Sequence, residues 1–145
     1  MLQGGTKPFL VEGRLHQVSI LLADDHEDFL ATTVRELAAH FDVVNAVGDG
    51  QALLAEAARL EPDVVVLDIS MPVLNGIEAA RKLKAAGSAA KVVFLTMHAD
   101  PDYVHAALAT GALGYVIKSR LATDLLPSIR EALAGRRFVS PSITL

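Results

Sequence analysis

Short apolar runs, several of them β-branched, recur along this chain with stretches long enough for a helix between them, and no other feature limits its fold as strongly. VSILLA (18–23), VVNAV (43–47), VVVL (64–67), KVVFLT (91–96) and GYVI (114–117) are those runs. They are too short for helices of normal length, and apolar residues at consecutive positions read as strands buried on both faces. Between them the apolar residues take helical spacing: Leu30, Val34, Leu37, Ala38 and Phe41, then Leu53, Ala57 and Leu60, then Ile77, Ala80 and Leu83, then Val104, Ala107 and Leu108. Strict alternation of strand and helix implies a parallel sheet with helices on both faces, because right-handed crossovers place them there.

The expected fold is therefore α/β, a doubly wound (βα)5 architecture of flavodoxin-like type. Its five-stranded parallel sheet takes the order 2-1-3-4-5, with the short, more polar second strand at an edge. Local signals mark the helix ends. Asp49 is placed to cap the second helix, Gly87 to end the third, and Pro101 to occupy the first turn of the fourth. Pro127 would cost about 3 kcal/mol inside a helix. A start capped by Thr123 or Asp124 puts it in the first turn, so the last helix is expected over about Asp124 to Ala134, with Leu125, Leu126, Ile129, Ala132 and Leu133 inward. The alternative is an earlier start with a kink near Pro127.

At 145 residues the chain has the length of one domain. Residues 1–16 carry Gly4, Gly5, Pro8 and Gly13 without a sustained period and read as a flexible N-terminal extension, residues 17–140 as the domain, and 141–145 as the start of a linker or tail. No run reaches the roughly 18 apolar residues needed to cross a bilayer, and the first residues lack the order of a signal peptide, so a cytoplasmic location without membrane contact is expected. With no cysteine, disulfides, thiolate zinc sites and thiol nucleophiles are excluded, and hard cations are favoured. A net charge of -4 offers no broad basic face for nucleic acid. Neither Gly-x-Gly-x-x-Gly after the first strand nor a Gly-Lys-Ser/Thr loop is present.

In a parallel sheet the residues just past the carboxyl ends of the strands gather at one edge, where such folds bind ligands. Here those residues are Asp24 and Asp25, Asp68, Thr96, and Lys118. Taken singly, each is an ordinary loop residue or cap. Together, three carboxylates, a hydroxyl and an ammonium make a site for a hard divalent ion and a phosphoryl group. Crowded carboxylates attract Mg2+, which keeps room for water and a phosphate oxygen. Lys118 matches phosphoryl charge, Thr96 can donate a hydrogen bond to it, and Asp68 is a nucleophile able to form an aspartyl phosphate.

The motifs LLADDH (21–26), VVVLDISMPVLNG (64–76), VVFLTM (92–97) and GALGYVIKS (111–119) resemble those of response regulator receiver domains of two-component systems, in the NarL/FixJ branch. The resemblance spans roughly residues 17–140. It implies a domain that accepts a phosphoryl group from a sensor histidine kinase on Asp68 and changes a surface in response. Asp24, Asp25, Asp68 and the backbone carbonyl of Ser70 would hold Mg2+. Thr96 and Lys118 would contact the phosphoryl group, and Tyr115 would change rotamer with Thr96, with plain strand packing as the competing reading of Tyr115. Relatives in that branch continue into a DNA-binding domain that this sequence lacks, so the resemblance implies either a receiver taken from such a transcription regulator or one that stands alone, and a homodimer on phosphorylation, through the faces around the fourth and fifth or the first and fifth helices. Many relatives have proline after the lysine; Ser119 stands there, and a trans bond is expected. Ser70 and His98 occupy positions that influence phosphoryl lifetime in the family.

Two other readings use the same residues. A phosphohydrolase working through an aspartyl phosphate generally carries an acid two residues after the nucleophile, where this chain has Ser70, and a receiver-like interaction module would not cycle phosphate. His26 is not expected to ligate a metal, since neighbours in an extended segment point apart. His16, His40 and His105 read as surface residues.

Overall fold

The computed structural model describes residues 9–11 and 14–143. Phe9–Val11 and Arg14–His16 pair as an antiparallel hairpin. The remaining residues of the expected extension, and the side chain of His16, lie outside the described residues. The main unit alternates as expected: β1 (Ser19–Ala23), α1 (Glu27–Ala38), β2 (Asp42–Val47), α2 (Gly50–Leu60), β3 (Val64–Leu67), α3 (Gly76–Ala85), β4 (Lys91–Thr96), α4 (Pro101–Leu108), β5 (Gly114–Ile117), α5 (Leu121–Leu133) and β6 (Phe138–Val139).

All strands of the main sheet pair in parallel, in the order β2-β1-β3-β4-β5-β6. The expected order of five is present, with a sixth strand added at the β5 edge. β6 was illegible in the sequence because it is two residues long. Its pairing is secured by backbone bonds from Phe138 to Leu113 O (2.8 Å) and from Ser140 to Tyr115 O (2.9 Å).

The period of two in the strands sorts their side chains into two cores. Leu21, Val65, Leu67, Phe94 and Tyr115 face α2, α3 and α4 and pack on Leu53, Ala79, Leu83 and Val104. Ile20, Leu22, Val64, Val66, Val93 and Val116 face α1 and α5 and pack on Leu37, Leu125 and Ile129. Val64–Leu67 is buried throughout because it contributes to both layers; each such side chain is worth about 1.5–3 kcal/mol of burial. Phe41, read from its spacing as part of the α1 stripe, is buried but lies past the helix end.

Asp49 caps α2 as expected, and Asn75 and Asp100 cap α3 and α4. Asp49 accepts from the Ala52 N–H at 2.7 Å, Asn75 from Glu78 at 2.9 Å, and Asp100 from Asp102 at 2.9 Å, with Pro101 opening α4. Gly87, at φ +80°, ends α3 through Ser88 N–H bonded to Leu83 O at 3.1 Å.

The last helix corrects the expectation. It starts at Leu121 behind a 3-10 turn, Lys118–Arg120, and keeps Pro127 inside. Leu121 is buried, so starting later would forfeit core contact. Thr123 and Pro127 are exposed, so water can reach the carbonyl that the proline leaves without its N–H. Asp124, expected as a cap, is buried and instead takes the Arg120 guanidinium at 3.2 and 3.3 Å. That ion pair, with hydrogen bonds from Ser140 and Thr123, outweighs the effect of burial and lowers its pKa. Leu126 and Leu133 are half-buried, narrower participants in the stripe than expected.

No peptide bond among the described residues is cis, including the one before Ser119. Among the described residues no helix is long and apolar enough to cross a membrane.

Candidate phosphoryl and metal site

Strand register assembles the site. Ala23 pairs with Leu67, so the next residues, Asp24 and Asp68, emerge side by side. Leu67 pairs with Phe94 and Thr96 with Ile117, which brings Thr96 and Lys118 to the same edge. Backbone bonds carry the order one residue further: Asp24 N–H to Val47 O and Asp68 N–H to Ala23 O, both 3.0 Å.

Asp24, Asp68, Thr96 and Lys118 are all buried, while Asp25 and Ser70 are exposed. The Lys118 ammonium lies 2.7 Å from Asp24 Oδ2 and 2.9 Å from Asp68 Oδ2. Burial alone would lower the Lys118 pKa, but the bonds and charges of the two carboxylates outweigh it and raise it. The other Asp68 oxygen, Oδ1, accepts from the Ile69 N–H at 2.7 Å. Gly76 makes room for this loop: its N–H bonds Ile69 O at 2.7 Å, and a Cβ there would overlap the Asp68 carbonyl oxygen and stand 2.8 Å from its carbonyl carbon.

Carboxylate oxygens of Asp24, Asp25 and Asp68 and a nitrogen of His26 lie within 4.8 Å of one another. An oxygen-rich, anionic cluster at a solvent-facing edge fits a hard divalent cation. The place of His26 there differs from the expectation that its side chain points away from the aspartates. As the residue preceding α1 it folds back, with N–H to Asp24 Oδ1 at 3.0 Å and Nδ1 3.3 Å from both Asp24 Oδ1 and Asp25 Oδ1. Alternation in an extended segment does not hold where the chain turns into a helix.

Thr96 Oγ1 accepts from the His98 N–H at 3.3 Å, and Tyr115 donates its phenol to His98 O at 2.7 Å. Tyr115 is fully buried against Phe94, with ring centroids 6.3 Å apart. Burial first, and then the Asp68 charge, push its phenol pKa upward. The His98 imidazole bonds Ser70 Oγ at 2.7 Å and stacks on Tyr103 with centroids 4.2 Å apart, tying the β3–α3 and β4–α4 loops together. A cleft of about 690 Å³ beside this bridge is lined by Asp25, Ser70, Asn75, Arg81 and Tyr103 among others. A cavity of about 840 Å³ lies at the amino ends of β3 and β4, beside Leu54, Pro62, Leu83 and Lys91, and holds none of the clustered carboxylates.

Of the remaining histidines, His105 is exposed as expected. His40 is half-buried, and its shielded Nδ1 has no hydrogen-bond partner among the described residues. One neighbour of the site had no signal in the sequence: Phe29, whose ring centroid is 4.6 Å from Lys118 Nζ. Only its place in the first turn of α1, behind the acidic pair, could have pointed to it.

A doubly wound parallel sheet with acidic groups, a threonine and a lysine at its carboxyl edge defines the class of fold and site. Residues 20–130 match the family described as the response regulator receiver domain, and the chain belongs to that family. The transcriptional regulatory protein DegU of Brevibacillus brevis is 34% identical over 131 residues, covering 89% of this chain and 56% of DegU. The nitrate/nitrite response regulator NarL of Escherichia coli K12 is 34% identical over 129 residues, covering 87% of this chain and 59% of NarL. These relatives place the chain in the NarL/FixJ branch. Among solved structures, a LuxR-family two-component response regulator from Aurantimonas is 33% identical with a TM-score of 0.82, covering 88% of this chain and 93% of that one. The chain thus spans somewhat over half the length of the curated relatives it matches.

Proposed function

We propose that this chain takes a phosphoryl group from a sensor histidine kinase onto Asp68 and relays the event through Thr96 and Tyr115. The supporting observation is the buried contact of Lys118 with both Asp68 and Asp24, which sets a fixed cation beside a carboxylate that, among the described residues, has one N–H donor besides it. In the transfer, an Asp68 oxygen forms the O–P bond as the N–P bond to the donor histidine breaks and the imidazole leaves. Lys118 then serves as the ion-pair partner of the phosphoryl group, and Thr96 donates its hydroxyl in place of accepting from His98.

Asp24, Asp25, Asp68 and the Ser70 carbonyl are the residues to hold Mg2+, which when bound would supply charge neutralisation at the phosphoryl oxygens. The charge event at Asp68 biases a two-state element, with Tyr115 bonded to the loop that Thr96 would pull. We assign residues 17–140 as the receiver unit, 1–16 as an extension and 141–145 as the start of a linker. The output is transcription control through a DNA-binding domain outside this chain, as a homodimer in the cytoplasm, with no turnover of an external substrate. Ser70, bonded to His98, stands where an aspartyl-phosphate hydrolase would carry its acid, which favours the switch over the enzyme.

The test is label incorporation from a phosphorylated kinase or a small phosphodonor with Mg2+. Labelling that needs Mg2+ and is lost in Asp68→Asn supports the reading; labelling that survives Asp68→Asn refutes it.

A further inference from the structure

The Lys118 ammonium carries three N–H donors. Its two anionic partners, Asp24 Oδ2 at 2.7 Å and Asp68 Oδ2 at 2.9 Å, both belong to groups with a second task, metal holding and phosphoryl acceptance. A further neighbour has no such task. Phe29 is the third residue of α1, half-buried among the core residues that α1 and α5 cover, and its ring centroid lies 4.6 Å from Nζ. A cation within about 6 Å of a ring centroid is attracted by the ring quadrupole, and more strongly where water is excluded. The Lys118 side chain is only 6% exposed, which limits the water competing for its ammonium.

We infer that Phe29 is a positioning residue for phosphoryl transfer to Asp68, its ring face holding the Lys118 ammonium at the floor of the site. The inference rests on the phosphoacceptor reading of Asp68. The physical need arises from the shared carboxylates. Were Asp24 to hold a metal and Asp68 to become an acyl phosphate, both ion pairs of Lys118 would weaken or be redirected, and its flexible four-carbon stem would be free to swing. A neutral ring competes for neither the metal nor the phosphoryl group, so its hold on the ammonium persists through the reaction. A leucine at 29 would fill similar space and keep the core contact but offer no quadrupole, so the role is separable from packing.

The experiment uses the full chain with Phe29 replaced by leucine, tyrosine and 3,4,5-trifluorophenylalanine. Three quantities are read: the initial rate of Asp68 labelling by acetyl phosphate with Mg2+, the thermal midpoint, and the shift of the Lys118 ε-methylene protons. Phe29→Leu should label about 2- to 30-fold more slowly, Phe29→Tyr should stay within about twofold of wild type, and the trifluoro side chain should fall toward leucine. The ε-methylene protons should lose their upfield ring-current shift in Phe29→Leu, and the rate loss should follow ring charge and not the thermal midpoint. A labelled wild type with leucine and trifluoro variants at the wild-type rate overturns the inference alone, as does a rate loss that follows thermal stability. A wild type that takes no label refutes the phosphoacceptor reading and the inference with it.

Discussion

Gly76→Ala should be one of the most damaging small substitutions in the protein, although it adds a single methyl group. The Cβ would overlap the Asp68 carbonyl oxygen and stand 2.8 Å from its carbonyl carbon and 3.0 Å from the Ile69 Cα. All three are backbone atoms, so no side chain can rotate away. Relief requires the start of α3 to part from the loop after β3, which weakens the Gly76 N–H bond to Ile69 O, now 2.7 Å. Overpacking of this kind costs about 1–3 kcal/mol and a weakened buried hydrogen bond about 1 kcal/mol, for a loss of about 3 kcal/mol. At roughly 2–4 °C per kcal/mol for a chain of this size, Tm should fall by about 10 °C. Two controls separate crowding from backbone preference. Gly87 is at φ +80° with open space around it, so Gly87→Ala should cost about 1–2 kcal/mol from the left-handed conformation alone. Gly48 has open space and no positive φ, so Gly48→Ala should be neutral or stabilise by up to about 1 kcal/mol. Urea unfolding followed by circular dichroism gives all three. A Gly76→Ala value within about 1 kcal/mol of Gly48→Ala would refute the reasoning.

Val73 is a β-branched residue at φ +70° and 79% exposed, so Val73→Gly should relieve strain without losing burial and stabilise by about 1 kcal/mol, read by the same unfolding assay. Ser140 Oγ accepts from the buried Ile117 N–H at 3.1 Å, so Ser140→Ala should cost about 1–3 kcal/mol, and hydrogen exchange at Ile117 should accelerate. Tyr115 has a folded pKa above its unfolded value near 10, so its neutral form stabilises the fold fully below pH 10, and that contribution is lost as pH rises above it. Ultraviolet titration should find one phenol that ionises only with alkaline unfolding, and Tyr115→Phe should remove it. A Tyr115 phenol that titrates near pH 10 in the folded protein would contradict this.

Much of the fold was legible because it rests on periodicity. Strand runs such as Val64–Leu67 and helix-end signals such as Asp49 and Pro101 are local patterns, and the structure keeps them. The carboxyl-edge residues were legible as a set, since parallel strands place Asp24, Asp68, Thr96 and Lys118 together whatever the helices do. The departures arise where tertiary contact overrides a local rule. Pro127 sits inside α5 because Leu121 has core to cover and Thr123 has water beside it. β6 is too short for any period and is held by its pairing with β5. His26 and Phe29 join the site through the geometry of a helix start, which residue spacing in an extended strand does not convey.

The central claim is that Asp68, and not its acidic neighbours, receives the phosphoryl group. Reaction with acetyl phosphate and Mg2+, reduction of acyl phosphate by borohydride and peptide mapping by mass spectrometry test it directly. The account predicts that homoserine appears at position 68, and at neither 24 nor 25. Homoserine at Asp24 or Asp25, or none anywhere in a folded, Mg2+-supplied protein, would contradict it.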